Sequence, residues 1–433
     1  MVGESGGLQQ RSFWGDTVAM PAIAPAPFPA SVDVVVVGGG ITGLAAARAL
    51  ARRGISVAVL EAHTIGWGAS SRNGGMALTG LKLGAGTLVS RYGIELARQL
   101  FKASVDSVDT VEDIVAAEQI DCHFERRGHL ALASKPAHYA YYERSAELLA
   151  REFSHPSRLV PRGELRAEIG SEIYHGGMVD EASGSINPAQ YVAGLARAAR
   201  AAGATLHENA QVQRIGRVGL RWQVETARGT VAAGEIMIAT SGYTEAVTRA
   251  LRRKLLPIGS YIIVTEPLTE ALASEISPRR RMMYDSRHFL HYFRLTPDRR
   301  LLFGGRARFV PENELSVRES AAVLRRGMLD VYPQLRSVRT EYAWGGTLDF
   351  AYDTMPHAGK MDGYHYALGY AGHGVALASY LGTRVGETLG TGALNSIPFA
   401  QLPFPGAPLG LYAARNGFLR IAAAWYRFLD LVA

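Results

Sequence analysis

The stretch DVVVVGGGITGLAAARALARRGISVAVLEA, residues 33–62, constrains this chain more than any other. Val32–Val37 is a short, β-branched apolar run, as expected of a strand buried on both faces. Apolar residues then recur at helical spacing over Ile41–Arg53 and stop at Gly54, where a helix C-terminus favours glycine. Ser56–Leu60 reads as a second buried strand, which completes a βαβ unit. Between its first strand and helix lies GxGxxG, made by Gly38, Gly40 and Gly43. The first glycine permits the tight turn, the second lets backbone meet a pyrophosphate, and the third lets helix pack on strand. The unpaired N–H groups of Ile41, Thr42 and Gly43 then face the phosphates. Glu61, followed by Ala62, ends the second strand, where a carboxylate can accept both ribose hydroxyls. A dinucleotide is held here, but the stretch alone fits NAD and FAD equally.

Two later stretches break the tie. GWGASSRNGGM, residues 66–76, crosses the ligand face directly after the ribose-binding strand with small residues: Gly68, Ala69, Ser70, Ser71, Asn73, Gly75 and Met76. Their backbone N–H groups and hydroxyls suit a long, permanently held FAD, whereas an exchanging nicotinamide needs no second wrapping. GYAGHGV, residues 369–375, is a glycine-rich turn that opens a C-terminal helix. Its N–H groups and positive dipole end suit the pyrimidine side of a flavin, which becomes negative on reduction.

The phosphate-binding module is split along the chain. Residues 93–118 and 137–152 read as amphipathic helices, with a strand hairpin around Cys122–Ser134. Asn187 is an N-cap before Pro188 and a helix over 189–202. Strands near 204–207 and 211–215 follow, and EIMIATSGYT forms a core strand with Thr240 and Gly242 in its loop. From 257 to 350, strand patterns alternate as an antiparallel sheet interrupted by a helix at 316–331. The last strand and helix of the module come near the C-terminus, so a second domain is inserted. The expected division is an extended arm at 1–30, an FAD-binding domain at 31–90, 155–250 and 350–400, a substrate-binding domain at 91–154 and 251–349, and a tail with an amphipathic helix at 401–433.

Composition excludes several classes. The net charge of +7 is carried mainly by arginines in short runs without interleaved aromatics, a solvated face and no nucleic-acid site. One cysteine, Cys122, excludes an internal disulfide or a cysteine metal site. No run of about 20 apolar residues predicts a membrane-spanning helix. The arm lacks a signal-peptide pattern, so a cytoplasmic protein is expected.

Together, the glycine motifs resemble the D-amino-acid-oxidase-like superfamily of FAD oxidoreductases. IGWGASSRNGG, YIIVTEPL, YFRLTPDRRLLFGGR and GYAGHGV are most similar to its gamma-glutamylputrescine oxidoreductase branch. The resemblance implies a Rossmann-like FAD-binding domain with an inserted antiparallel-sheet domain roofing the substrate site. It also implies oxidation of a C–N bond to an imine by hydride transfer to flavin, then hydrolysis, with dioxygen reoxidising the flavin. Carried over by position, Val212 contacts adenine, Thr240 and Gly242 close over the dinucleotide, and Gly372, His373, Gly374 and Val375 sit at the flavin's pyrimidine edge.

The chain departs from amino-acid-oxidising members. WGGTLDFAYDTMPHAG has no arginine for a substrate carboxylate, and Ala376 stands where sarcosine oxidases carry lysine. An amine whose reacting end lacks a carboxylate is therefore expected, with oxidation of an N-methylated amino acid as the alternative. No lysine lies in LHYFRLTPDRRLLFGGR, although Arg294 and Arg306 can supply charge, so oxidase and dehydrogenase both remain open. No cysteine lies in the C-terminal half and no histidine in 66–76, which points to non-covalent FAD. Tyr261, His291, Tyr292, Tyr370 and His373 are the candidates for the substrate pocket. A small-molecule amine and dioxygen or another acceptor are the expected partners, and an oligomer is compatible with the tail helix.

Overall fold

Strand Ser31–Val37 forms from the valine-rich run and lies between Val57–Leu60 and Gly229–Ile238, parallel to both. The computed structural model describes residues 7–23, 27–287, 289–305 and 314–407. Thr205–His207 extends this sheet on one side, Tyr364–Leu368 and His357–Met361 on the other. A hairpin of Val212–Val218 and Arg221–Thr226 joins through Gly229–Ile238. The register sets Val37 beside both Leu60 and Ile238, so Gly38, Glu61 and Ala239 leave the sheet together at one edge. Ligands bind at this carboxyl edge in doubly wound sheets.

Helices Ile41–Ala51, Pro188–Ala201 and Gly374–Thr388 share one core through Leu44, Leu195 and Leu377. Two glycines set the first and last of these side by side. A Cβ on Gly382 would stand 2.3 Å from the Thr42 carbonyl oxygen, and one on Gly386 2.8 Å from that of Ala46. Both helices therefore run the same way, and their N-termini open at the same edge of the sheet.

The second sheet has eight strands in the order 340–351, 255–265, 301–305, 291–295, 282–285, 129–132, 176–180 and 158–161. Its pairings are antiparallel except between His129–Leu132 and Met282–Asp285, which run parallel. Period-two alternation gives the sheet two different faces. Tyr261, Ile263, Phe293 and Phe303 pack with Leu324 and Met328 of helix Glu314–Val331. Ser260, Ile262, Tyr284 and Tyr292 point the other way, over the nucleotide-binding side.

Several elements differ from their expected places. No hairpin forms at 122–134; only His129–Leu132 is a strand, inserted between 176–180 and 282–285. Strands 158–161 and 176–180 belong to the roofing sheet rather than to the first sheet, so the 155–250 segment is divided. Helix Ile94–Ala117 packs with the nucleotide-side helices through Leu100, Val108 and Val111. Strands of four or five residues carry too little periodicity to announce which sheet they join. The N-terminal arm is also more than an extended strand. Phe13–Thr17 is a 3-10 turn with Trp14 fully buried, and Gln9 exchanges backbone hydrogen bonds with Glu341 and Ala343 of the roof. Most of the tail, including its expected helix, lies outside the described residues, as does Arg306. Among the described residues, no helix is long and apolar enough to cross a membrane.

Candidate functional site

At the carboxyl edge of the first sheet lies a cavity of about 330 Å³. Gly38, Gly40, Glu61, Ala62, Gly68, Ala69, Ser70, Val212 and Thr240 line it, with Trp67, Gln211 and Tyr243. Gly38 has φ +110°, and a Cβ there would stand 2.7 Å from the Ala239 carbonyl oxygen, so only glycine makes this turn without strain. Helix Ile41–Ala51 starts at Gly40 with no side-chain cap. Ser70 Oγ accepts from the Ile41 N–H at 3.0 Å, which docks the 66–76 loop on the helix start. Glu61 is held by the N–H groups of Gly39 at 2.7 Å and His63 at 2.9 Å. Charged hydrogen bonds contribute about 1.5–3 kcal/mol, so Glu61→Ala should weaken FAD retention about 10- to 100-fold. Flavin released on dilution, measured by fluorescence, checks this.

A second cavity, of about 230 Å³, meets the first at Ala69. Its floor is the 72–76 stretch with Asn73 and Met76, and its far end is Gly372, His373 and Val375 at the start of helix Gly374–Thr388. The roofing sheet supplies Ser260, Ile262, Tyr284, Tyr292, Gly346 and Leu348. Arg72 and Lys82 also line it. The 369–375 turn is fixed from the roof by Asp349. Its carboxylate accepts from the N–H of Gly369 at 2.6 Å and of Tyr370 at 3.2 Å, and its carbonyl accepts from Ala371 N–H at 2.8 Å. Burial pushes the Asp349 carboxyl up to about 6, against the downward pull of those N–H groups.

The 66–76 loop is gripped through three successive carbonyls. Trp344 Nε1 donates to that of Arg72 at 2.8 Å, Trp14 Nε1 to that of Asn73 at 2.9 Å, and Arg294 Nε to that of Gly74 at 2.7 Å. Arg294 also donates to Ile186 O at 2.6 Å and lies over the Trp14 ring. Burial without a carboxylate partner lowers its pKa to about 10. Its charge therefore serves the loop backbone and does not face the substrate cavity.

The expected site residues divide into three groups. Those named above line one or other cavity. Ile41, Thr42, Gly43, Ser71, Gly75, Gly242 and Gly374 line neither cavity. Gly43 lies against Gly38 and Val36, and Gly242 against Thr347 of the roof. Three pocket candidates point elsewhere. Tyr261 is buried on the opposite face of its strand, with its hydroxyl donating to Ser316 Oγ at 3.0 Å. His291 shares that opposite face, 3.4 Å from Asp285 and against Phe303. Tyr370 is buried against the first helix, its hydroxyl 2.8 Å from Thr42 Oγ1. Tyr292 and His373 do line the cavity. The sequence reading missed Arg72, Lys82, Ser260, Tyr284 and Asp349. Strand alternation alone, taken from either neighbour of Tyr261, signals Ser260 and Ile262.

This donor set fits FAD: a glycine turn without side chains, a helix start with the Ser70 loop docked on it, a ribose carboxylate, a small-residue loop, and a second helix start, without a side-chain cap, in the adjoining cavity. Comparison with known proteins agrees. A family described as FAD dependent oxidoreductase (DAO) matches residues 33–388. Gamma-glutamylputrescine oxidoreductase of Escherichia coli is 33% identical over 403 residues, covering 92% of each chain. Probable oxidoreductase OrdL of Haemophilus influenzae is 32% identical over 405 residues, again 92% of each. Among solved structures, L-proline dehydrogenase from P. horikoshii superposes with a TM-score of 0.69 at 21% identity, covering 90% of this chain and 99% of that one. Glycine oxidase from Geobacillus kaustophilus gives 0.67 at 22% identity, covering 88% and 99%. The fold, the glycine cradle and the family match agree, and the chain belongs to the DAO family of FAD-dependent oxidoreductases.

Proposed function

We propose that this enzyme oxidises a C–N bond of a secondary or N-substituted amine, of the γ-glutamylputrescine kind, to an imine that water hydrolyses to the aldehyde. The observation that supports it most is the character of the second cavity. Its walls are apolar and aromatic, Arg72 and Lys82 line it, and no carboxylate does among the described residues. FAD, when bound, supplies the hydride acceptor. The chain's own residues select the amine. Apolar walls and nearby cations both disfavour an ammonium, so the neutral amine, which can surrender hydride, is stabilised. The same cations attract a carboxylate at the far end of the substrate. A free diamine, charged at both ends, is a poor fit; the same diamine acylated by a glutamyl group is a good one. The E. coli relative's name is consistent with this reading.

Non-covalent FAD is part of the proposal, since Cys122 is buried in the helical core and burial pushes its thiol up to about 12. Tyr292 and His373 border the substrate space and orient the amine in it. Dioxygen is the proposed acceptor. Arg72 also favours one second reading, an N-methylated amino acid clamped by this loop arginine.

Anaerobic mixing of the yellow protein with γ-glutamylated amines, free polyamines and N-methyl amino acids separates the two. Bleaching by the first group alone supports the proposal; bleaching by N-methyl amino acids alone replaces it. Admitting air then restores the colour of an oxidase and leaves that of a dehydrogenase bleached. Lys82→Met should raise the γ-glutamylputrescine concentration for half-maximal bleaching about 10-fold or more, the loss of one charged contact. The limiting rate should change little, since in this reading Lys82 meets the carboxylate end of the substrate, remote from the reacting bond.

A further inference from the structure

Behind Tyr284, on the wall of the second cavity, runs a line of buried polar groups that the FAD cradle does not use. The Tyr284 hydroxyl lies 3.3 Å from His129 Nε2, and His129 Nδ1 lies 2.8 Å from Ser183 Oγ. Ser183 Oγ is 3.2 Å from Thr79 Oγ1, which donates to Asp180 Oδ2 at 2.6 Å. The same Asp180 oxygen lies 2.7 Å from His155 Nε2, whose side chain is 11% exposed. His129, Ser183 and Thr79 are all buried.

The far end fixes the direction of every bond. Burial opposes ionisation of Asp180, yet the hydrogen bonds from His155 and Thr79 hold its carboxyl well below the usual range. An ionised carboxylate only accepts, so the Thr79 hydroxyl points at it. With the Thr79 hydroxyl proton committed to Asp180, Ser183 Oγ, which also accepts from the Thr79 N–H at 3.0 Å, is the donor to Thr79 Oγ1. His129 then donates from Nδ1 to Ser183. Burial pushes the His129 pKa down, so its ring is neutral and keeps one lone pair, on Nε2, for the Tyr284 hydroxyl. Arg281, the cation on this side, lies near His129 but is occupied by Glu168 and Glu181. All four donors therefore point away from the cavity, the arrangement that passes a proton by successive hops.

We propose that Tyr284, His129, Ser183, Thr79 and Asp180 form a relay that carries to the surface the proton an ammonium substrate must lose before oxidation. It rests on the amine reading given above. The ammonium N–H bond breaks as the Tyr284 oxygen takes that proton and releases its own to His129 Nε2. His129 gives its Nδ1 proton to Ser183, Ser183 gives its own to Thr79, and Thr79 gives its own to Asp180. One proton enters, one reaches the Asp180–His155 pair for loss to solvent, and no electrons move. The amine keeps the lone pair that assists hydride departure.

The test is anaerobic reduction of the holoenzyme by γ-glutamylputrescine as a function of pH, for wild type, Tyr284→Phe, Ser183→Ala and His155→Gln. The first two substitutions each remove one oxygen and keep the packing, and flavin content checks each variant's fold. With a relay, each variant is slowed about 10-fold or more where the amine arrives protonated, and converges on wild type at alkaline pH, where it arrives neutral. Variants that equal wild type throughout, or are slowed by the same factor at every pH, overturn the relay and leave the amine reading standing. A wild-type flavin that no amine bleaches overturns both.

Discussion

Gly43→Ala should purify colourless. A Cβ at position 43 would stand 2.0 Å from the Gly38 carbonyl oxygen and 3.2 Å from Val36 Cγ1, contacts with backbone and a buried strand that have nowhere to move. The helix must lift from the strand, and this shifts the Gly38–Gly40 turn and the N–H groups that face the phosphates. Overpacking of this kind costs about 3 kcal/mol, which is roughly a 100-fold loss of FAD affinity if it falls on the cradle. Gly54→Ala is the control. Gly54 also has positive φ, +77°, but nothing lies within 4 Å of its Cβ position, so about 1 kcal/mol of backbone strain is expected and the protein stays yellow. Flavin absorbance per chain and the melting temperature of both variants decide this. A yellow Gly43→Ala protein of wild-type stability would show that the strand–helix contact does not set the cradle.

The second large effect belongs to Asp349. Asp349→Ala leaves the buried N–H groups of Gly369 and Tyr370 without their acceptor, at about 1–3 kcal/mol each, and frees the turn at the start of helix Gly374–Thr388. Lower thermal stability and weaker flavin retention should appear together. The isosteric Asp349→Asn separates charge from shape through pH. The folded carboxyl titrates at about 6, above its ordinary 3.8, so the folded chain holds this proton more tightly than the unfolded one. Stability is then greatest at low pH and falls as pH rises from about 4 to about 6, by at most about 3 kcal/mol, levelling off beyond. The asparagine variant should lose that slope. Parallel melting curves of wild type and Asp349→Asn across this window would show instead that the carboxyl does not titrate there.

The parts of the site that were legible in sequence are those governed by local sterics. Gly38, Gly40, Gly43 and Glu61 sit within one βαβ unit, where chain geometry alone dictates residue type. The turn at 369–375 was legible for the same reason. The substrate cavity was not, because its wall is read in alternate residues of paired strands. Choosing Tyr261 over Ser260 and Ile262, or setting His291 beside its neighbour Tyr292, mixes the two faces of a strand, and an aromatic residue suits either face. Tyr370 failed differently, since its hydroxyl was claimed by Thr42, more than three hundred residues earlier in the chain. Asp349 carries no motif, and its role exists only once strand Thr340–Ala351 ends beside the turn. The roofing strands 158–161 and 176–180 were misplaced because pairing, not composition, assigns a short strand to its sheet.

The grip on the 72–74 carbonyls has a consequence for how the protein matures. Its three donors, Trp14, Arg294 and Trp344, come from near the beginning, the later middle and the last quarter of the chain. A nascent chain therefore cannot present the loop in its final form until the chain has been synthesised past Trp344 and both sheets have met. Cofactor capture becomes a late event that seals an otherwise complete structure, and ligand binding then adds to the stability of only that finished state. In a population of molecules, yellow colour counts the chains in which Trp14, Arg294 and Trp344 have all come together on the loop.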